Sequence, residues 1–282
     1  MSRRIFVVTG ANRGIGFETV RELGKRLKLR EATIVLCSRT KEAGENAVSS
    51  LAMDGVKANL ELLDVADEGS RNRFASTLRG KYGRVDCLIN NAGIAFPPGS
   101  KQPITEQAKE TCAVNYLSTR DITMAIAPLF RHGSKVVFLS SKLESAGPPF
   151  MSSKNRDRLL SPCTTVKDID AAVRDYLNAA PNWKEHGWPR LPYLFSKAAV
   201  IALTAALARQ ADKCKLTPNV TGIIVTACYP GWCKTDLAGW KAPPLSSAEG
   251  GKVVAQVALC AGTKEHGNLV VEGREIKVPS QL

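Results

Sequence analysis

Short apolar, β-branched runs alternate with longer stretches of helical periodicity along nearly the whole chain. No other feature limits the available folds as much. Arg4–Thr9, Thr33–Cys37, Asn59–Leu63, Cys87–Ile89, Lys135–Leu139, Val220–Ala227 and Leu269–Val271 read as strands. Between them Ile15–Leu29, Glu42–Met53, Asp67–Tyr82, Thr105–Phe130 (with a break before Pro128), Tyr193–Ala211 and Ser247–Ala261 read as helices. In the first of these, Ile15, Val20, Leu23 and Leu27 fall near one face. Helices of about a dozen residues are what parallel strands need as crossovers. The alternation therefore predicts an α/β fold, a Rossmann-type doubly wound parallel sheet with helices on both faces and right-handed connections.

The rhythm fails once. From about Ala146 to Pro192 the chain is Pro-rich, polar and mixed. Thr165–Leu177 inside this stretch has a helical pattern: Thr165 and Asp168 approximate a capping box, and Ile169, Val173 and Leu177 recur every four residues. The stretch is too short to bury a core of its own. The 282 residues thus read as one domain with an insertion at about 146–192.

The first strand runs into Gly10-Ala11-Asn12-Arg13-Gly14-Ile15-Gly16 and then a helix. Glycines there permit a tight turn and close approach of backbone to a pyrophosphate, and the helix N-terminus offers free N–H groups and a positive dipole end. The spacing is Gly-x-x-x-Gly-x-Gly rather than the usual Gly-x-Gly-x-x-Gly. An NAD site commonly places an acid at the end of the second strand for the ribose hydroxyls. This chain has Ser38-Arg39 there. Arg39, and Arg13 within the glycine loop, can instead offer guanidinium groups to a 2′-phosphate, which points to NADP(H).

Composition narrows the alternatives. The net charge of +13 is compatible with nucleic acid or an acidic surface, but Lys and Arg are interspersed with Asp and Glu, as in Lys81–Asp86 and Lys167–Arg174, and read as a solvated face. No apolar run approaches the roughly 18 residues of a membrane span. Met1–Arg4 leads directly into a strand pattern without a signal-like core, which makes the cytosol the expected compartment. The eight cysteines include no Cys-x-x-Cys pair and the three histidines have no ligand spacing, so reduced thiols and no metal are expected.

Four further motifs appear in order: Asn90-Asn91-Ala92-Gly93 after the fourth strand, Ser140-Ser141 after the fifth, Tyr193-Leu194-Phe195-Ser196-Lys197 opening a helix, and Pro230-Gly231-Trp232 with Thr235 beyond it. With the glycine loop, they make the chain resemble the short-chain dehydrogenase/reductases over nearly its whole length. On a helix Tyr193 and Lys197 are i and i+4 and share a face. A nearby ammonium and the positive nicotinamide of an oxidised cofactor favour tyrosinate, so Lys197 is expected to lower the Tyr193 pKa. The resemblance implies that Tyr193 donates the proton, that Ser141 polarises the substrate carbonyl, and that Lys197 also holds the nicotinamide ribose. Asn115, in Ala113-Val114-Asn115-Tyr116, matches the family asparagine of a proton relay; alone it would read as a polar helix residue. The same match assigns Asp64-Val65 to the adenine, Asn91, Ala92 and Gly93 to the cofactor groove, and Pro230, Gly231 and Thr235 to the nicotinamide carboxamide. Thr235 also suits the N-cap of a short helix.

Ser141 and Tyr193 are 52 positions apart, against about a dozen in most family members. That gap, together with Asn90–Phe96, Glu185-His186-Gly187-Trp188-Pro189 and Pro230-Gly231-Trp232, resembles the monomeric carbonyl reductases. It implies reduction of ketones, aldehydes and quinones by NADPH, with the inserted helix covering the face that pairs in oligomeric members. Phe96, Trp232 and Trp188 are candidates for an aromatic cleft or for ordinary packing. Phe96 and Gln107 match two positions of that subfamily's glutathione patch, while Pro97-Pro98 departs from it. A dehydrogenase of a steroid, prostaglandin or other alcohol, and a non-catalytic NADP(H)-binding regulator, remain as alternatives. The terminal Ser280-Gln281-Leu282 resembles a peroxisomal signal without its lysine.

Overall fold

Eight strands form one sheet in the order β3-β2-β1-β4-β5-β6-β7-β8 in a computed structural model that describes residues 3–27, 31–142, 151–239, 241–271 and 274–276. The strands are β1 (Arg4–Val8), β2 (Ala32–Ser38), β3 (Asn59–Leu62), β4 (Val85–Asn90), β5 (Phe130–Leu139), β6 (Ile224–Tyr229), β7 (Leu269–Val271) and β8 (Arg274–Ile276). The first seven are parallel and β8 alone pairs antiparallel, on β7. Strand order reverses between β1 and β4. Such a switch point opens a crevice at the strand C-terminal ends, and Gly10 and Asn91 both emerge there.

Alternation along each strand sends side chains to both faces. Phe6 and Val8 join α1 (Gly14–Arg26), α2 (Lys41–Met53) and α9 (Ser247–Cys260) in one apolar cluster. Ile5 and Val7 join a second cluster with α3 (Glu68–Thr77), α4 (Ile104–Cys112), α5 (Ser118–Ile126) and α8 (Pro192–Asp212). Among the described residues α8 is the one helix long and apolar enough to cross a bilayer, with mean hydropathy 1.2, contrary to the reading that no run comes close. It is 83% buried, because it lies between the sheet and the insertion, and so is a core helix.

The described part of the insertion forms two helices, α6 (Ser153–Leu160) and α7 (Val166–Asn178). The Thr165/Asp168 capping box forms as expected. The buried face of α7 is Ile169, Ala172, Val173 and Tyr176, one position before the expected Leu177. Tyr176 stacks on Phe195 of α8, with centroids 3.7 Å apart, and on Trp183 at 5.1 Å.

Three expected boundaries change. The single helix at Thr105–Phe130 is α4, a π-helical turn at Ala113–Leu117, α5 and a 3-10 turn at Ala127–Leu129. Asp67–Tyr82 likewise ends in a π turn, Leu78–Tyr82. β6 begins at Ile224 rather than Val220, because Asn219 (φ 62) and Gly222 (φ 70) take left-handed conformations that an extended strand excludes. The first part of the insertion (146–150) and the Ser280-Gln281-Leu282 terminus lie outside the described residues.

Candidate active site

β1 delivers the chain to the crevice at Thr9, and the glycine loop turns it into α1. Gly10 has φ +59, a left-handed conformation that side chains resist. A Cβ on Gly16 would come within 2.4 Å of Asn91 Nδ2 and 2.8 Å of the Gly10 carbonyl oxygen, so only glycine lets the loop close. Asn91 Nδ2 donates to the carbonyls of Thr9 and Gly10, both at 2.9 Å. Thr9 Oγ1 accepts from the N–H groups of Asn91 and Ala92, both at 3.0 Å. The end of β4 is thereby tied to the loop, and the Asn91 amide serves as that tie. Asn12 and Ile15 are partly buried, and Ile15 packs on the core. α1 starts at Arg13 with no side-chain cap and no acid in its first turn, which leaves free N–H groups for an anion.

Arg39, just past β2, is exposed and lines a cavity of about 320 Å³ with Asp64, Asp67, Ser70 and Arg73. The Asp64 carboxylate accepts from Ala66 N at 3.0 Å, and its own N–H donates to Ser70 Oγ at 2.9 Å. Asp67 accepts from Gly69 N at 2.9 Å and pairs with Arg73 at 3.5 Å. Both acids are engaged, and among the described residues no acid pairs with Arg39. Val65 supplies a carbonyl to Arg71 at 2.7 Å. Arg73 was not singled out in the sequence; it reaches this cavity from α3.

Arg13 reaches a different partner. Its guanidinium is 72% exposed and pairs with Asp236 at 2.7 Å, in the loop after β6. Thr235 of that loop lies against Gly14, whose Cβ would be 3.5 Å from Thr235 Cγ2. Thr235 Oγ1 accepts from Ala238 N at 3.2 Å and caps a turn, not a helix. Pro230 and Gly231 are buried, and Trp232 is 49% exposed.

Tyr193 and Lys197 stand on the first turns of α8, with Lys197 Nζ 5.6 Å from the Tyr193 ring centroid. Tyr193 is half-buried and hydrogen-bonds Ser141, which follows the end of β5. Ser140 is the structural member of its pair: its Oγ donates to the Lys197 carbonyl at 3.1 Å. Lys197 is 6% exposed and its Nζ donates to the Leu139 carbonyl at 2.8 Å. Burial drives the Lys197 pKa down to about 8. Burial, then the neighbouring Tyr229, push Tyr193 up to about 12, against the opposing Ser141 hydrogen bond. The sequence-based expectation of a lowered tyrosine pKa is thus reversed among the chain's own groups. Desolvation penalises the phenolate, and the Lys197 ammonium donates to the Leu139 carbonyl.

Asn115 is 1% exposed and sits in the π turn at Ala113–Leu117. Such turns often mark functional sites. Its Oδ1 accepts from Ile94 N at 2.8 Å, and its Nδ2 donates to the Ile94 carbonyl at 2.9 Å and Ser196 Oγ at 3.0 Å. A Cβ on Gly93 would lie 3.1 Å from Asn115 Oδ1 and 3.7 Å from Lys197 Nζ, so Gly93, Asn115 and Lys197 meet.

Beside Tyr193 opens a second cavity of about 320 Å³, lined by Phe96–Ser100, Ile104, Gln107, Thr111 and Leu191–Pro192. None of these residues carries a formal charge. The Gln107 amide donates to the Gln102 carbonyl at 2.8 Å. Trp188 is buried edge-on to Tyr176 and Phe195, so it belongs to the core and not to the cleft.

The family model for short chain dehydrogenases matches residues 4–153. The chain belongs to that family. Short-chain dehydrogenase relatives include carbonyl reductase (NADPH) 1 of Bos taurus, 32% identical over 98% of this chain and 99% of the relative. The solved structure of salutaridine reductase from Papaver somniferum superposes with TM-score 0.80 at 25% identity, covering 95% of this chain and 99% of that one. A short chain dehydrogenase from Burkholderia cenocepacia J2315, solved in complex with NADP, shares the fold at TM-score 0.66 and 21% identity, covering 96% and 97%. In this short-chain dehydrogenase the uncapped start of α1, the glycine-only contacts at Gly10 and Gly16, the unpaired Arg39 and the buried Lys197 fit a phosphorylated dinucleotide.

Proposed function

We propose that the protein reduces ketones, aldehydes and quinones to alcohols at the expense of NADPH. The observation that carries this reading is the hydrogen-bonded pair Ser141–Tyr193 at the mouth of an uncharged cleft, with Lys197 buried behind it. NADPH supplies the hydride when bound. Gly10, Asn12, Gly14, Ile15 and Gly16 form the bed for its pyrophosphate, with the α1 N-terminus aimed at the negative charge. Arg39 attracts the 2′-phosphate, and Asp64 and Val65 border the adenine. Asn91, Ala92 and Gly93 floor the groove, while Pro230, Gly231 and Thr235 border the nicotinamide.

Ser141 orients the carbonyl oxygen and donates a hydrogen bond that strengthens as negative charge grows on it. Tyr193, held neutral by burial, is a phenol at neutral pH and therefore has the proton to give. Lys197 offers a positive field that favours the phenolate left behind, and Asn115 fixes the segment at Gly93–Ile94 beside it. Phe96 and Trp232 supply apolar surface for the substrate. Among the described residues that line the cleft none is charged, which suits neutral carbonyls.

We further read the protein as a single-domain cytosolic monomer. Five buried free thiols among the eight support a reducing compartment. α7 lays Ile169, Ala172, Val173 and Tyr176 into the core beside α4 and α8, occupying the face that an oligomer would use. Sedimentation at micromolar concentration should give a single species of monomer mass; a stable tetramer would reject the monomer. The function is tested by the loss of NADPH absorbance with a panel of quinones, dicarbonyls and aldehydes. Turnover of none of them would refute it.

A further inference from the structure

The insertion touches the candidate catalytic elements at two points, and both contacts are specific. The first is polar. Asp170 on α7 accepts a hydrogen bond from the Tyr116 hydroxyl at 2.7 Å and pairs with Arg120 of α5. Tyr116 is fully buried and is the residue next to Asn115 in the π turn. Burial and the adjoining Asp170 carboxylate raise its pKa, so it remains a neutral donor. A π turn has poorer intrinsic stability than the α-helix around it, so its shape depends on outside contacts. The second contact is apolar. Tyr176 stacks on Phe195 with rings 9° from parallel, and Phe195 lies between Tyr193 and Lys197 on a helix start that has no side-chain cap. Asn115 joins the two points, because its Nδ2 donates to Ser196 Oγ at 3.0 Å.

We propose that α7 is a brace for the active site, in which Asp170, through Tyr116, and Tyr176, through Phe195, are positioning residues for Asn115 and for the Tyr193–Lys197 pair. The proposal rests on the reading that Ser141, Tyr193 and Lys197 perform the reaction. A brace acts on the reacting geometry, where displacements of about 1 Å are costly, and not on the cofactor bed at α1 on the other side of the crevice. It should therefore change kcat far more than the KM for NADPH.

The test compares Tyr116→Phe, Asp170→Ala and Asp170→Asn in the full chain, with kcat, both KM values and thermal stability measured for each. Tyr116→Phe keeps the packed ring and removes one hydrogen bond. Asp170→Ala removes the acceptor, while Arg120 keeps its second partner Asp121. Asp170→Asn retains an acceptor oxygen for Tyr116. Tyr116→Phe and Asp170→Ala should each lower kcat roughly tenfold with a much smaller change in the KM for NADPH, the scale of one hydrogen bond to a charged acceptor. Asp170→Asn should recover most of that loss. Wild-type kcat in folded Tyr116→Phe and Asp170→Ala, or a loss in Asp170→Asn as large as in Asp170→Ala, would overturn the brace. Tyr193→Phe run alongside separates the two ideas: full activity there sinks the assignment of the reaction itself, whereas inactivity there with unchanged Tyr116→Phe sinks only the brace.

Discussion

Tyr193 hydrogen-bonds Ser141 across a gap of 52 positions in sequence, because β5 ends where α8 begins at the same edge of the crevice. Of the intervening residues, those of α6 and α7 pack against α8, and the chain reaches α8 at Leu191. Length between the two residues therefore costs nothing in geometry at the reacting centre.

The two shifted pKa values set a pH dependence for kcat/KM. Lys197 is lowered to about 8 and Tyr193 raised to about 12, so between these values the lysine is neutral while the tyrosine still holds its proton. Reduction that uses the ammonium should fall as pH rises through about 8. A profile of kcat/KM for the carbonyl, which reports the enzyme form before the carbonyl binds, checks this. A rate that stays flat up to the ordinary lysine range would show that the Lys197 charge is not used.

Arg39 should decide between the two nicotinamide cofactors. Arg39→Asp removes a cation and adds a repelling charge beside Asp64 and Asp67. A charge-assisted hydrogen bond contributes about 1.5–3 kcal/mol, so NADPH binding should weaken by roughly 10- to 100-fold while NADH binding is nearly unchanged. Isothermal titration with both cofactors measures it, and an equal loss for the two would assign the 2′-phosphate to other groups.

Gly16→Ala should cost stability as well as cofactor affinity. Its methyl would stand 2.4 Å from Asn91 Nδ2 and break the tie between β4 and the glycine loop. Overpacking of this kind costs about 1–3 kcal/mol, visible as a lower melting temperature. An unchanged melting temperature would mean that the loop relaxes freely.

Tyr176→Phe should act in the other direction. The Tyr176 hydroxyl is buried and meets no hydrogen-bonding group among the described residues, although its ring is stacked on both faces. Removing it spares a desolvation cost of about 1–3 kcal/mol and keeps the stack, so chemical denaturation should show a more stable protein at unchanged kcat. A destabilised variant would show that the hydroxyl has a partner.

What could be read in the sequence was whatever depends on local pattern. β-branched runs announced the parallel strands, and the Thr165/Asp168 box announced α7. The glycine loop and the Tyr193–Lys197 spacing announced the crevice and its contents. Features that depend on three-dimensional context stayed hidden. α6 carries few apolar residues and buries only Asn155 and Leu159, so no periodicity marks it. The π turn at Asn115 interrupts a run whose side chains read as one helix. Trp188 suits a cleft or ordinary packing by sequence, and the Tyr176 and Phe195 rings around it decide for packing. The sign of the Tyr193 shift follows from how deeply the hydroxyl sits, which spacing along a helix does not record. Asp236 and Asp170 were invisible because their partners, Arg13 and Tyr116, are distant in the chain.

The reaction proposed for this site needs Tyr193 to give the proton. The direct measurement is NADPH-dependent turnover of a quinone or dicarbonyl by Tyr193→Phe, with NADPH affinity measured on the same sample. Loss of a positioned general acid lowers rates by about 10²- to 10⁴-fold, and kcat should fall by that amount at unchanged NADPH affinity. Turnover equal to the wild type would show that another group gives the proton.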